Sequence, residues 1–349
     1  MHPDFRIVEG AYCNDILFQP QALADTLEGL EESSALRAVA NRLNRGELRR
    51  VVLTGMGSSF HGLHPLNIDL LGQGLAPLMV DTSELIHYQR RLFDRATLII
   101  AVSQSGRSAE MVSMLKANRA RATVVAVTNT RDSPLARNSD ACVLTRAGEE
   151  FSVSCKTYVS ALMALKWVGN LLGGKSSHRS RSELAHAAPI VSDYLLRWKK
   201  NVLTLAERLR GIRQLYLVGR GSSLAAVGTG GLIIKESDHF PAEGMGSAAF
   251  RHGPLEIVTA QTFVLAFSGA GRTRELNRRL VKDVRERHGF AEWAGDDSSL
   301  PALRFGAGPV AIRPILEILP VEMITLALAA LAGREAGRFE SATKVTTTE

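Results

Sequence analysis

Two short stretches carry a density of hydroxyl and amide donors that suits an anion. In "TGMGSSFHGL" (54–63), Ser58 and Ser59 follow a glycine turn. In "SQSGRS" (103–108), Ser103, Gln104, Ser105 and Ser108 surround a second glycine. Each stretch follows a short apolar run and precedes a helix-like segment. At such a turn the backbone N–H groups point outward and the helix dipole favours negative charge. Glycine admits close approach and serine adds donors. The chemistry this allows is the capture of one phosphate. A lone glycine-serine turn would read as a helix cap. The presence of both turns favours the anion site.

These side chains meet only if adjacent parallel strands deliver them. Five short, unbroken apolar runs support that: "RRVVLT", "PLMVDT" (77–82), "TLIIAV" (97–102), "ATVVAVT" and "ACVLTR". Unbroken rather than alternating runs, separated by helical patterns, predict a parallel sheet covered on both faces. A long helix is expected over 151–172. The chain then repeats itself. "VGRGSSLAAV" begins at Val218, 164 positions after "TGMGSSFHGL" begins at Thr54. "AFSGAGRTRE" at Ala266 stands 165 positions after "AVSQSGRSAE" at Ala101. Two matches at nearly one offset indicate duplication. The fold class is therefore α/β, with two tandem doubly wound parallel sheets. The expected organisation is a segment 1–30, a phosphate-binding domain 31–175, a second domain 190–334 and a tail 335–349. The polar stretch 173–184 reads as the connection, followed by one helix from about Pro189 to Arg208. In the second copy the turn is "SGAGRT", poorer in side-chain donors, and that copy is expected to be mainly structural.

Bulk properties exclude several classes. The 349 residues are 45% hydrophobic and 22% charged, an ordinary globular balance. The net charge of +7 is modest, and the dense run "RTRELNRRLVKDVRERH" (272–288) reads as an exposed helix face rather than a nucleic-acid site. The richest apolar stretch, from Ile318, is broken by Pro320 and Glu322, so no membrane-spanning run is expected and the stretch reads as a buried helix. The N-terminus lacks a signal pattern. Cys13, Cys142 and Cys155 have no metal or redox spacing, which points to a reducing, cytoplasmic setting. No metal and no cofactor are expected. His61 and His64 stand three apart on an expected helix, but they lie beside the phosphate turn and more readily flank the ligand pocket there. Nicotinamide binding is discounted, because "GMGSSF" lacks the third glycine of the dinucleotide fingerprint and no suitable acid clearly follows the next strand.

The ordered set of "GMGSS", "SQSGRSAE", "SVSCKTYVSAL" (152–162), "KESDHFPAEGMGSAAFRHGPLEIV" (235–258) and "SATKVTTTE" (341–349) resembles the tandem sugar isomerase (SIS) domain family. Its members include the isomerase half of glucosamine-6-phosphate synthase and related phosphosugar deaminases and deglycases. The resemblance runs from "NDILFQPQALADTL" (14–27) to the last residue. It implies a phosphosugar held by Ser58, Ser59, Ser103, Gln104, Ser105 and Ser108. It implies Glu236 as the base that moves a proton between C1 and C2, and His252 as the ring-opening group. In the family that histidine reaches a neighbouring subunit, so a homodimer or larger assembly is implied. Lys344 matches the lysine that forms an imine with the open sugar in the synthase. Ser154 matches a serine bordering the sugar.

Two departures bear on the reaction. The synthase carries an acid and a lysine on the helix leading to its base; the matching positions here are Thr229 and Ile233. Only about fifty residues precede the first strand, so an amidohydrolase domain is not expected, nor is amide transfer. The expected reaction is breakdown of a ketosamine or aldosamine 6-phosphate, by proton transfer and imine hydrolysis with release of an amine. Plain aldose–ketose isomerisation and non-catalytic sugar-phosphate binding are the alternatives.

Overall fold

The computed structural model describes residues 5–119, 121–269, 271–340 and 344. They form two compact units. One comprises 21–150 and 156–186 together with Lys344; the other comprises the described part of 1–20, 151–155 and 187–340.

The first unit is built on β1 (Arg50–Thr54), β2 (Leu78–Met79), β3 (Thr97–Val102), β4 (Thr123–Thr128) and β5 (Ala141–Leu144). All pairings are parallel, in the order β2-β1-β3-β4-β5. Every residue of β3 and β4 is buried, as the unbroken apolar runs require of strands covered on both faces. On one face Val52, Ile99, Ala101, Val124 and Ala126 pack with Leu85, Met111, Met114 and Leu135. Four helices matter to the site: α1 (Gly57–His61), α2 (His64–Gly72), α3 (Ala109–Asn118) and α4 (Lys156–Leu172).

The second unit has β6 (Gln214–Gly219), β7 (Ala242–Gly246), β8 (Thr262–Phe267) and β9 (Phe290–Ala294) in the order β7-β6-β8-β9, again all parallel. Its helices include α5 (Leu224–Asp238), α6 (Gly271–Glu286) and α7 (Leu319–Ala332). On α6, Leu280, Val281 and Val284 pack against β8 and β9, while Arg278, Arg279 and Lys282 face outward. The arginine-rich run is thus one face of an amphipathic helix.

Four expectations are corrected. The helix expected over 151–172 starts only at Lys156, after bends. The connection expected over 173–184 contains a helix, Ser177–Leu184, whose cap Ser176 accepts the Arg179 N–H. The single helix expected from Pro189 is two, Ala187–Leu195 and Trp198–Leu209. Finally, Val310–Ala332 is long and apolar enough to cross a membrane, with mean hydropathy 2.0. Pro314 and Pro320 sit in first turns, where a missing N–H costs nothing, so they start helices rather than interrupt burial. Within its most apolar 18 residues 89% are buried inside the protein, so the stretch is the buried core element expected.

Candidate functional site

The order β2-β1-β3-β4-β5 reverses direction between β1 and β3, the switch point where open α/β sheets leave a crevice at the carboxyl ends of their strands. Both donor-rich turns leave from there. Thr54 is the register partner of Ala101, so the turn at 55–57 and the loop at 103–108 start side by side. They touch at Gly55, where a Cβ would lie 3.0 Å from Val102 O and 3.1 Å from Ser59 C. A side chain there would press on backbone atoms of β3 and α1, which favours glycine at this position. In the second loop Gly106 adopts φ +59°, and a side chain there would run into Ser133.

The loop between β3 and α3 is internally braced. Ser103, buried, accepts the Gly106 N–H at 3.1 Å, and Ser105 Oγ accepts the Arg107 N–H at 3.2 Å. The Gln104 carbonyl accepts the Asn129 N–H at 3.0 Å and the Thr128 hydroxyl at 3.1 Å. These bonds tie the backbone to β4 and leave the Gln104 side-chain amide for other work. Ser108 starts α3 yet makes no side-chain cap, and Ser58 and Ser59 lie half-buried within α1. Among the described residues the hydroxyls of Ser58, Ser59 and Ser108 make no hydrogen bond. Capping therefore does not account for them.

The sheet order of the second unit places an equivalent switch point between β6 and β8. It differs in kind. Ser223, the counterpart of Ser59, is fully buried and donates its hydroxyl to Glu317 Oε1 at 2.8 Å. Arg313 donates to Ser268 Oγ at 3.3 Å and to the Gly269 carbonyl at 3.4 Å. A carboxylate and a guanidinium of the same unit bond the residues of both turns. Burial pushes the Glu317 carboxyl up to about 7, and the Ser223 bond and the Arg313 charge pull it back only in part. Sequence reasoning missed both residues. Glu317 sits as one acid in the apolar run "PILEILPV" (314–321), and that isolation was the available signal.

The remaining predicted residues divide between the units. Lys344 belongs to the first, where its Nζ pairs with Glu150 Oε2 at 2.5 Å. Glu236, His252 and Ser154 belong to the second. Glu236 is half-buried on α5, and its neighbour Lys235 pairs with Glu243 at 3.5 Å. Thr229 and Ile233, on the same helix, are fully buried. His252 closes the helix Ser247–Arg251, is exposed, and precedes Gly253 at φ +137°. Ser154 is half-buried in the bends before α4.

His61 and His64 are on two helices, not one, because the chain breaks at Gly62 and Leu63. Phe60 makes edge contacts with both rings, at 5.8 and 6.5 Å. Burial, then the His61 charge, lowers His64 to about 4, which keeps it neutral. An acid does follow β2: Asp81, whose carboxylate accepts the Glu84 N–H at 2.9 Å and caps the helix Thr82–Tyr88. That cap engages its carboxylate within its own helix. Among the described residues no group of three or more His, Cys, Asp or Glu side chains is placed to hold a metal ion.

The family model described as "SIS domain" matches residues 47–169 and 208–291, one stretch on each sheet. The chain belongs to the SIS domain family. This SIS protein is 28% identical over 347 residues to a glutamine–fructose-6-phosphate aminotransferase (isomerizing) of Pyrococcus horikoshii, covering 96% of the chain and 57% of that relative. The chain thus spans little more than half the length of that relative. Its fold is that of the C-terminal domain of glucosamine-fructose-6-phosphate aminotransferase from Francisella tularensis. The TM-score is 0.83 at 19% identity, over 95% of this chain and 98% of that one. It is also that of a glucosamine-6-phosphate deaminase from Thermotoga maritima, with TM-score 0.78 at 16% identity over 97% and 100%.

Proposed function

We propose that this SIS protein binds a phosphosugar through Ser58, Ser59, Ser103, Gln104, Ser105 and Ser108 and catalyses proton transfer between its C1 and C2. The observation that carries the reading is the first switch point. There a braced loop and a short helix present hydroxyls that no described residue uses. The substrate is a ketosamine or aldosamine 6-phosphate. Glu236 removes and returns the proton through an enolamine, and the resulting imine is hydrolysed to release ammonia or an amino acid. His252 opens the ring, acting on a second copy of the chain; its exposure supports that role. Lys344 carries the imine to the open sugar. What supports breakdown over synthesis is Thr229 and Ile233, two buried uncharged residues at the positions of the family's acid and lysine.

The test is a panel of hexosamine 6-phosphates and glycated amino acid phosphates, with released amine and sugar isomer both assayed. Released amine supports cleavage; an isomerised sugar with no amine released refutes it and leaves the plain isomerase. Glu236→Gln is expected to lower kcat by roughly 10²–10⁴-fold with phosphosugar affinity kept. Turnover unaffected by that change removes Glu236 from the mechanism.

A further inference from the structure

The tail lysine has a specific partner. Lys344 Nζ lies 2.5 Å from Glu150 Oε2; the Glu150 side chain has no solvent exposure and that of Lys344 has 22%. The same carboxylate is fixed from its other side. Its Oε1 accepts the Thr157 N–H at 3.0 Å, and its Oε2 accepts the Thr157 hydroxyl at 2.6 Å. Thr157 is in the first turn of α4, where an N–H has no partner within the helix. Glu150 thus accepts from the Thr157 N–H and hydroxyl at a helix start and pairs with the Lys344 ammonium.

That arrangement poses a chemical problem. An ammonium paired with a buried carboxylate is well positioned but is no nucleophile; the amine must first lose a proton. We infer that Glu150 is a positioning residue that holds Lys344 at the reacting carbonyl and takes up its proton as the amine attacks. The inference rests on the reading in which Lys344 forms the imine. In the step, a proton passes from Nζ to the Glu150 carboxylate. The freed nitrogen pair forms the C–N bond while the carbonyl π pair moves to oxygen, and a second nitrogen proton passes to that oxygen to give the neutral carbinolamine. The proton on Glu150 then leaves with the hydroxyl as water. The products are a protonated imine and the regenerated carboxylate, so one ammonium and one carbonyl become one iminium and one water.

Trapping tests this on the full chain. The protein is incubated with fructose 6-phosphate and cyanoborohydride, and the labelled residue is identified by peptide mass spectrometry. Label at Lys344 is expected in the wild type. With Glu150→Gln, trapping and kcat are expected to fall about a hundredfold while KM changes little. Trapping by Glu150→Gln at the wild-type rate overturns the role of Glu150 and leaves Lys344 standing. No label at Lys344 in the wild type overturns the imine reading, and this inference with it. Should Glu150→Gln fail to fold, Glu150→Asp keeps the charge but withdraws it by one methylene. Trapping is then expected to slow about tenfold, and an unchanged rate refutes the proposal.

Discussion

The two switch points of this protein descend from one sequence pattern and differ in what occupies them. At the first, β1 and β3 end in turns whose hydroxyls at Ser58, Ser59 and Ser108 have no partner among the described residues. At the second, Ser223 is bonded to Glu317, and Ser268 to Arg313. The spacing is nearly the same, yet the helices start differently. An offset of 165 would carry the start of α3, Ala109, to position 274, whereas α6 starts at Gly271, three residues earlier. The residues that form an open loop in the first copy are drawn into a helix in the second. On the reading proposed above, hydroxyls left unsatisfied at the first switch point serve an anion, and those satisfied by a buried carboxylate at the second do not.

The largest expected contrast comes from one glycine pair. Gly106→Ala forces a side chain into φ +59° and against Ser133, and is expected to destabilise the protein by about 1–3 kcal/mol. Phosphosugar affinity should fall at least about tenfold. Gly271→Ala meets nothing within 4 Å and lies at a helix start, so stability should be unchanged or raised by about 0.4–1 kcal/mol. Thermal melts and calorimetric titration with a hexose 6-phosphate measure both, and equal effects would erase the distinction between the copies.

Glu317 sharpens the comparison through pH. Its folded pKa, raised from 4.5 to about 7, means that the folded state holds the proton more tightly than the unfolded one. Stability is therefore expected to fall as pH rises from 4.5 to 7, by on the order of 3 kcal/mol from this group. Glu317→Gln should flatten that segment of the profile in denaturant titrations. A slope that persists unchanged would show that the group does not titrate there.

Single substitutions at matched serines separate binding from stability. Ser59→Ala is expected to weaken phosphosugar binding about tenfold, with little change in stability, as the loss of one bond to a charged group predicts. Ser223→Ala should leave binding alone but destabilise by about 1–3 kcal/mol, because Glu317 loses its donor. The opposite pattern would assign the site to the wrong copy.

Several features were legible because they are local. The apolar runs of β3 and β4, the glycine turns and the matched offsets follow from chain chemistry, and they led to two parallel sheets. The donor set at 103–108 was legible for the same reason. Helix limits were less so: Lys156, Ser177 and the break near Leu196 depend on what packs around each segment. Val310–Ala332 shows the limit plainly, since prolines that look like breaks serve as helix starts within a buried stretch.

The residues alone placed a glycine-serine turn between strand and helix in each copy and marked the second copy as poorer in side-chain donors. Only tertiary structure showed which side chains bond the second pair of turns. Glu317 lies 94 positions from Ser223, and Glu150 lies 194 positions from Lys344. Contacts at such separations are fixed by how sheets and helices pack, and no local pattern along the chain encodes them.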